Sequence, residues 1–263
     1  MEIKFSKYHG LGNDFIIIDA REDVDYPDLA REICDRHFGV GADGLIVYQL
    51  PQEMLFYNAD GSVGTMCGNG LRCLSRYLRD EKNFGDSFTV ETAAGSKLVR
   101  FIGELIETDL GVPDLSGKRM GIAGDPADFI DRELEGFTVS AVFTGAAHLV
   151  VFCDDPFMIS TEVAARLSNH PVFTDRINVN FVKAIDRATC LVRTYERGVG
   201  WTEACGTGAA AVYVETRRQT RCDEQLTVRF RAGAVRVRYE GGRIVLTGPA
   251  ERIANGVFYR KKR

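Results

Sequence analysis

Cys67 and Cys205 each open a Cys-Gly-polar-Gly run, "CGNG" and "CGTG", and each run leads into a stretch patterned as a helix. The glycines on either side of Asn69 and Thr207 let the backbone approach a ligand closely and expose its N–H groups where the helix begins. First-turn amides have no acceptor within their own helix, and the helix dipole adds partial positive charge. Such a place favours a carboxylate or phosphate and lowers the pKa of a thiol at its mouth. A nucleophile needs only one such cysteine. A matching pair suits a reaction that treats two sides of a substrate alike, and racemisation beside a carboxylate is one. A thiolate removes the α-proton, an opposing thiol returns one to the other face, and the helix starts hold the carboxylate and the charge that grows on it.

The likeness extends beyond the motif. At the offset of 138 residues that lays Cys205 on Cys67, Tyr195 falls on Tyr57, Thr227-Val228 on Thr89-Val90, Ala232-Gly233 on Ala94-Gly95 and Arg238 on Arg100. The chain therefore reads as a duplicated half, whose facing helix starts would enclose two thiols in a cleft.

The elements that must position them follow the same order twice. In the first half "FIIID" and "GLIVYQ" read as strands, and Leu29, Ala30, Ile33, Cys34 and His37 recur at helical spacing after Pro27. Asp60-Gly61 marks a turn. After Cys67, Leu71, Leu74 and Leu78 form an apolar stripe on a helix whose other face carries Arg72, Arg76 and Arg79. Two strands, "SFTVET" and "KLVRFI", then flank a turn at Ala94-Gly95. From Phe137 the same kinds of element return: "FTVSAVF", "HLVVFCD", a capped helix "STEVAARLSN", "NVNFVKAI", "CLVRTYERG", the second cysteine helix, and strands to the end. The Gly-, Pro- and Asp-rich segment from Asp109 to Gly136 reads as a linker or crossover.

With 263 residues, 45% hydrophobic and 27% charged, the chain has room for two packed domains. A net charge of -4 and a pI near 5.7 give no electrostatic reason to expect nucleic acid. The terminal basic run from Arg260 to Arg263 reads as a solvated tail. No apolar stretch approaches the roughly twenty residues of a membrane span, and the N-terminus lacks the apolar core of a secretory signal, so a soluble cytoplasmic protein is expected. Seven cysteines are too few for a disulfide scaffold, and the absence of Cys-x-x-Cys argues against zinc. Cys34, Cys73, Cys153, Cys190 and Cys222 read as small buried hydrophobes.

Seven further stretches carry a family resemblance: "HGLGNDFIIID", "RHFGVGADGL", "YNADGS", "MCGNGLRC", "ETAAG", "NVNFV" and "YERGVGWTEACGTGA". Together they cover nearly the whole chain, which resembles the diaminopimelate epimerases among the cofactor-independent amino-acid racemases. The resemblance implies an isomerase that converts LL-diaminopimelate to the meso form for lysine and peptidoglycan synthesis, as a homodimer, without pyridoxal phosphate or metal. It makes Cys67 and Cys205 the acid/base pair and places the α-carboxylate at Gly68, Asn69, Gly206 and Thr207. Asn13, Asn58, Asn178, Glu196 and Arg197 then surround the substrate, Arg197 and the asparagines toward its distal carboxylate and Glu196 toward an ammonium. The expected fold is α/β of the α+β type, with two pseudo-symmetric domains, each a curved, mostly antiparallel sheet around its central helix. The first comprises 1–115 with 250–263 and carries Cys67; the second comprises 116–249 and carries Cys205.

Two positions depart from the family. Ala146-Ala147 stands where Asn-Pro commonly precedes the histidine corresponding to His148, and Trp201 stands where Glu is usual. Trp201 either lines the pocket or caps the interface between the halves; His148 tunes Cys205, shapes the cleft, or is a satisfied structural histidine. Taken alone, Asn13 and Asn58 also read as turn residues, and Glu196-Arg197 as an exposed pair. These departures keep open racemisation of another amino acid, histidine among them. A different class is a non-catalytic protein that binds amino acids or senses redox state through a Cys67-Cys205 disulfide.

Overall fold

The computed structural model describes residues 1–123 and 128–260. The chain forms two compact units, Met1–Thr108 with Gly248–Arg263 and Asp109–Thr247.

In the first unit β1 (Glu2–Gly10) and β2 (Asn13–Asp19) form a hairpin turned by Leu11 and Gly12, at φ 54° and 84°. α1 (Tyr26–Ile33) starts on Asp25, whose side chain accepts from the Asp28 N–H, and Pro27 sits in the first turn, where a missing donor costs little. The sequence pattern carries this helix to His37, yet it ends at Ile33. The Asp35 carboxylate accepts from the backbone N–H groups of His37 and Phe38, and such a local bond competes with helix continuation. β3 (Gly44–Gln49) lies parallel to β2, β4 (Glu53–Asn58) turns back on it, and β5 (Val63–Gly64) is a short arm on β4. α2 (Gly68–Lys82) follows, then an antiparallel meander of β6 (Ser87–Thr92), β7 (Lys97–Ile102) and β8 (Leu105–Gly111).

Strand alternation divides the core of this unit. Phe15, Ile17, Ile46, Tyr48 and Phe56 face α2, and Val90, Val99, Phe101 and Ile106 close over the same helix from β6 to β8. Ile16, Ile18, Leu45 and Val47 point the other way, onto α1. Leu71, Leu74 and Leu78 are fully buried, as their spacing predicts, each contributing roughly 1.5–3 kcal/mol. Arg76 and Arg79 keep to the outer face, Arg76 pairing with Glu104 and Arg79 lying over the Phe101 ring. Arg72 does not: its side chain is completely buried, because strands enclose α2 on more than one side.

The segment after β8, expected to be a linker, belongs in its described part to the second unit. Met120 and Leu134 are buried in that unit's core, and Asp114 and Ile122 bridge to Phe143 and Phe173. Residues 124–127 lie outside the described residues. β9 (Arg132–Leu134) pairs with β10 (Phe137–Phe143), and β11 (Ala147–Phe152) completes a hairpin. α3 (Thr161–Ser168), capped by the Ser160 hydroxyl on the Val163 N–H, leads to β12 (Asn178–Ala184), β13 (Thr189–Glu196) and the short β14 (Gly200–Thr202). α4 (Gly206–Arg218), β15 (Gln225–Phe230), β16 (Gly233–Glu240) and β17 (Arg243–Gly248) finish the repeat. β11 is parallel to β12 as β2 is to β3, and β13 to β15 as β4 is to β6. The α+β expectation, a mostly antiparallel sheet around a central helix in each unit, therefore holds.

The chain returns to the first unit as β18 (Glu251–Tyr259), antiparallel to β1. There the Arg260 side chain donates to Glu32 at 2.8 Å and Asp28 at 2.5 Å. The first residue of the basic run is thus anchored to α1 and not solvated, while 261–263 lie outside the described residues. Among the described residues no helix is long and apolar enough to cross a membrane.

Candidate active site

Both cysteines are helix N-caps with the same backbone. Cys67 has φ -130° and ψ 122°, Cys205 φ -129° and ψ 115°. Each sulfur accepts a first-turn N–H, from Gly70 at 3.5 Å and from Gly208 at 3.4 Å. A cap is normally an oxygen. Sulfur in that place sets a thiol against the positive end of the helix dipole, where its anionic form gains most.

Around Cys67 the amides are held in one orientation. The Asn13 Nδ2 donates to Asp43 Oδ2 at 2.6 Å, so Asn13 Oδ1 turns toward α2 and accepts from Asn69 Nδ2 at 3.1 Å. Cys67 Sγ lies 3.8 Å from the same oxygen. Asn69 Oδ1 in turn accepts from Arg72 Nη2 at 2.6 Å. Behind Asn13, Arg36 bridges Asp14 and Asp43 at 2.8 and 2.7 Å, and Lys7 reaches Asp14 at 2.9 Å. Burial raises the Asp14 carboxyl, but Arg36 and Lys7 outweigh it and hold the group below its ordinary value.

A different network stands behind Cys205. Its Sγ is 3.5 Å from the Thr207 hydroxyl, which is 2.9 Å from His148 Nε2. Asn180 Nδ2 donates to the Leu149 carbonyl at 3.1 Å and meets His148 Nδ1 at 3.1 Å, and Asn180 Oδ1 accepts from Thr194 Oγ1 at 2.9 Å. A carbonyl only accepts, so Leu149 determines which way the Asn180 amide points. His148 Nδ1 must then be an acceptor, and neutral His148 carries its hydrogen on Nε2, toward Thr207. Burial pushes the His148 pKa down to about 3, with Arg197 adding to the effect, so the ring is neutral at ordinary pH.

Register shows what became of the duplicated positions. Ile46 pairs with Phe56 as Asn180 pairs with Thr194, and Phe15 pairs with Gly44 as His148 pairs with Asn178. Phe15, Ile46 and Phe56, apolar packing under α2, thus correspond to His148, Asn180 and Thr194, a buried polar chain under α4. Two residues earlier on each hairpin, Asn13 corresponds to Ala146.

The remaining expected residues fall on the same strand faces. Asn178 and Asn180 point with Thr194 and Glu196 toward the α4 side; Asn178 Oδ1 accepts from the Arg197 backbone N–H at 3.0 Å, and Glu196 Oε1 from Thr202 Oγ1 at 2.7 Å. The Arg197 side chain is exposed and donates to the Asp175 carbonyl at 3.1 Å. Asn58 donates to the Ser62 hydroxyl at 2.9 Å in the turn after β4, without a direct bond to Cys67. Trp201 lies on the opposite face. It pairs across strands with Tyr195, stacks near Phe181, and sends its indole N–H to Thr161 at the start of α3. A tryptophan there packs the α3 side of the second unit, not the cysteine side.

Sequence reading missed Asp43, Asn180 and Thr194 and gave Arg72 the wrong face. The first two lay inside quoted motifs, "RHFGVGADGL" and "NVNFV", and the alternation of Asn178 and Asn180 with apolar residues was the available signal of polar groups aimed inward. Among the described residues no group of His, Cys, Asp and Glu is arranged to hold a metal ion.

The fold places the chain in a class of proteins. It is similar to a phenazine biosynthesis protein of the PhzF family from Bacillus anthracis, with a TM-score of 0.69 at 17% identity, covering 98% of this chain and 99% of the other. It is also similar to a hydroxyproline epimerase from Agrobacterium vitis, with a TM-score of 0.65 at 13% identity, covering 97% and 92%. Within that class the sequence is specific. The family model for diaminopimelate epimerase matches residues 5–115 and 140–253, and a diaminopimelate epimerase of Nostoc punctiforme is 37% identical over 278 residues, 97% of this chain and 99% of its own. The chain belongs to the diaminopimelate epimerase family.

Proposed function

We propose that this isomerase converts LL-diaminopimelate to the meso form with two cysteines as its acid and base. One thiolate takes the α-proton and becomes a thiol. The other cysteine, protonated at the outset, delivers its proton to the opposite face of the same carbon and is left as the thiolate. The observation that carries this reading is the matched pair of cysteine N-caps, each with a first-turn amide on sulfur. The amides at Gly68-Asn69 and Gly206-Thr207 offer donors for the α-carboxylate and for the negative charge that builds on it during proton removal. Asn13, Asn58, Asn178, Glu196 and Arg197 are assigned to the rest of the substrate, whose distal amino-acid end matches their mixture of amide, carboxylate and guanidinium. His148 supports Cys205 through Thr207. The chemistry is complete with these groups, so neither pyridoxal phosphate nor a metal enters it. We further assign a cytoplasmic location and a homodimeric state, the second of which light scattering on the purified protein would check.

Ala146, at the place corresponding to Asn13, keeps a second substrate in view: an amino acid without the second polar end, turned over by the same thiols. Proton NMR in D2O decides between them. Reduced protein is offered LL-diaminopimelate and, in parallel, L-amino acids including histidine. Loss of the α-proton signal from diaminopimelate alone supports the first reading, exchange confined to another amino acid supports the second, and exchange from none would leave a binding protein.

A further inference from the structure

Arg72 is the largest fully buried side chain among the described residues, and its guanidinium donates to neutral acceptors. Nη2 donates to Asn69 Oδ1 at 2.6 Å, Nη1 to the Gly68 carbonyl at 3.4 Å, and Nε to the Pro249 carbonyl at 3.2 Å. Among the described residues no carboxylate pairs with it. By contrast Arg36, Arg76 and Arg252, all partly exposed, each have carboxylate partners. Burying a cation is costly when no anion compensates, and neutral acceptors offset only part of that cost. Burial pulls the Arg72 guanidinium below its ordinary value, and an arginine remains a cation through this.

The placement is specific to one half of the repeat. The guanidinium lies against Gly68 and Asn69, the two residues that follow Cys67, so its charge adds to the positive end of α2. At the same offset in the second unit stands Ala210, and the buried groups behind Cys205, His148, Asn180 and Thr194, are neutral.

We propose that Arg72 is the buried counter-charge of the Cys67 half of the site, so that in the substrate-free protein Cys67 carries the thiolate and Cys205 the proton. This rests on the reading of the two cysteines as acid and base, and it assigns Arg72 a positioning role, since it acts through Asn69 and the helix start. Lys7, Asp14, Arg36 and Asp43 pair among themselves and reach the site through the Asn13 amide. Arg252 pairs with Asp80 and Glu81, at the C-terminal end of α2. The Cys73 thiol is pushed far up by burial and stays neutral. The Asn13 oxygen, 3.8 Å from Cys67 Sγ, favours S–H, but a neutral dipole at that range is weaker than a full charge in a dry interior. On the Cys205 side, the Thr207 hydroxyl can donate to or accept from sulfur, and the Arg197 cation, whose charge is felt at His148, is exposed and so screened by water where Arg72 is not.

The test is the pH dependence of alkylation of each cysteine in the reduced full-length protein, with iodoacetamide as probe and peptide mass spectrometry as readout. The midpoint of each curve is compared, because accessibility changes the rate but not the midpoint. In the unaltered protein the Cys67 midpoint is expected below that of Cys205; the reverse order overturns the proposal, whatever the variants do. Arg72→Met is expected to raise the Cys67 midpoint by roughly one to two pH units, slowing its alkylation about ten- to a hundredfold below that midpoint, and to leave Cys205 in place. Arg72→Lys, which keeps the charge, restores most of the shift. A Cys67 midpoint unmoved in folded Arg72→Met would also overturn it. Alkylation needs no substrate, so this result is separable from that of the proton-exchange experiment: exchange with diaminopimelate and equal midpoints would remove the role of Arg72 and leave the epimerase reading intact.

Discussion

His148 Nδ1 receives the Asn180 amide at 3.1 Å, and the Leu149 carbonyl holds that amide in the one orientation that makes the contact a hydrogen bond. The pair determines the histidine's tautomer and points its Nε2 hydrogen at the hydroxyl beside Cys205. A buried chain of this kind rigidifies a site only while every member has its partner.

His148 gives the protein a pH-dependent weakness. Its pKa is about 3 in the fold and 6.5 in an unperturbed chain, so between these values the unfolded chain binds a proton that the native ring refuses. The stability is therefore whole above about pH 6.5 and falls as the pH drops, with a loss of about 2 kcal/mol by pH 5. Urea unfolding at pH 7 and pH 5 should show this loss, and His148→Gln should lack it. An identical loss in both proteins would mean the imidazole is not the source.

Two corresponding glycines should respond differently to alanine. A Cβ at Gly208 would lie 2.4 Å from Asn180 Oδ1, an atom tied into the buried chain, while one at Gly70 would meet the Ile46 and Met54 side-chain ends at 3.1 and 3.3 Å. Methyl groups can shift by a few tenths of an ångström, whereas displacing Asn180 breaks bonds to Thr194, Leu149 and His148. Gly208→Ala is expected to cost about 2–4 kcal/mol and Gly70→Ala about half as much or less. Equal losses in denaturant titrations would count against the polar chain as the stiffer support.

Cys67→Ser and Cys205→Ser should each lower epimerisation about 10²- to 10⁴-fold, the usual worth of one acid or base group. One of the two should still expel a good β-leaving group from a suitable analogue, because that reaction needs a single base. Near-normal turnover in both variants would sink the two-thiol mechanism.

Trp201→Phe should leave kcat/KM for diaminopimelate within about threefold while lowering stability by about 1–2 kcal/mol. The stability loss follows from the ring's contacts: Tyr195 at 5.3 Å, Phe181 at 5.9 Å and the Arg193 guanidinium at 3.6 Å from its centroid. A change of substrate preference would mean that the ring reaches the cysteine side after all.

Much of this protein is decided by local sequence. The two Cys-Gly-x-Gly runs specify helix starts because glycine frees the backbone there, and period-2 and period-3.6 patterns place "KLVRFI" and the Leu71, Leu74 and Leu78 stripe where they are found. The repeat offset, a matter of sequence alone, pairs β4, α2, β6, β7 and β8 with β13, α4, β15, β16 and β17, while β2 and β3 match β11 and β12 only through sheet register. Local pattern misjudged α1, where Asp35 turns its carboxylate onto its own backbone, and the segment after β8, whose Met120 and Leu134 enter a core that no linker composition announces. Tertiary structure alone decided the environment of each cysteine. A face assigned by helical spacing becomes interior when strands close over it, which is why Arg72 is buried. Likewise Trp201 was ambiguous until pairing with Tyr195 set its face, and His148, Asn180 and Thr194, far apart in sequence, join into one chain only because parallel and antiparallel registers bring β11, β12 and β13 side by side under α4. Hydrogen-bond direction and burial depend on neighbours across the sheet, and no single segment contains them.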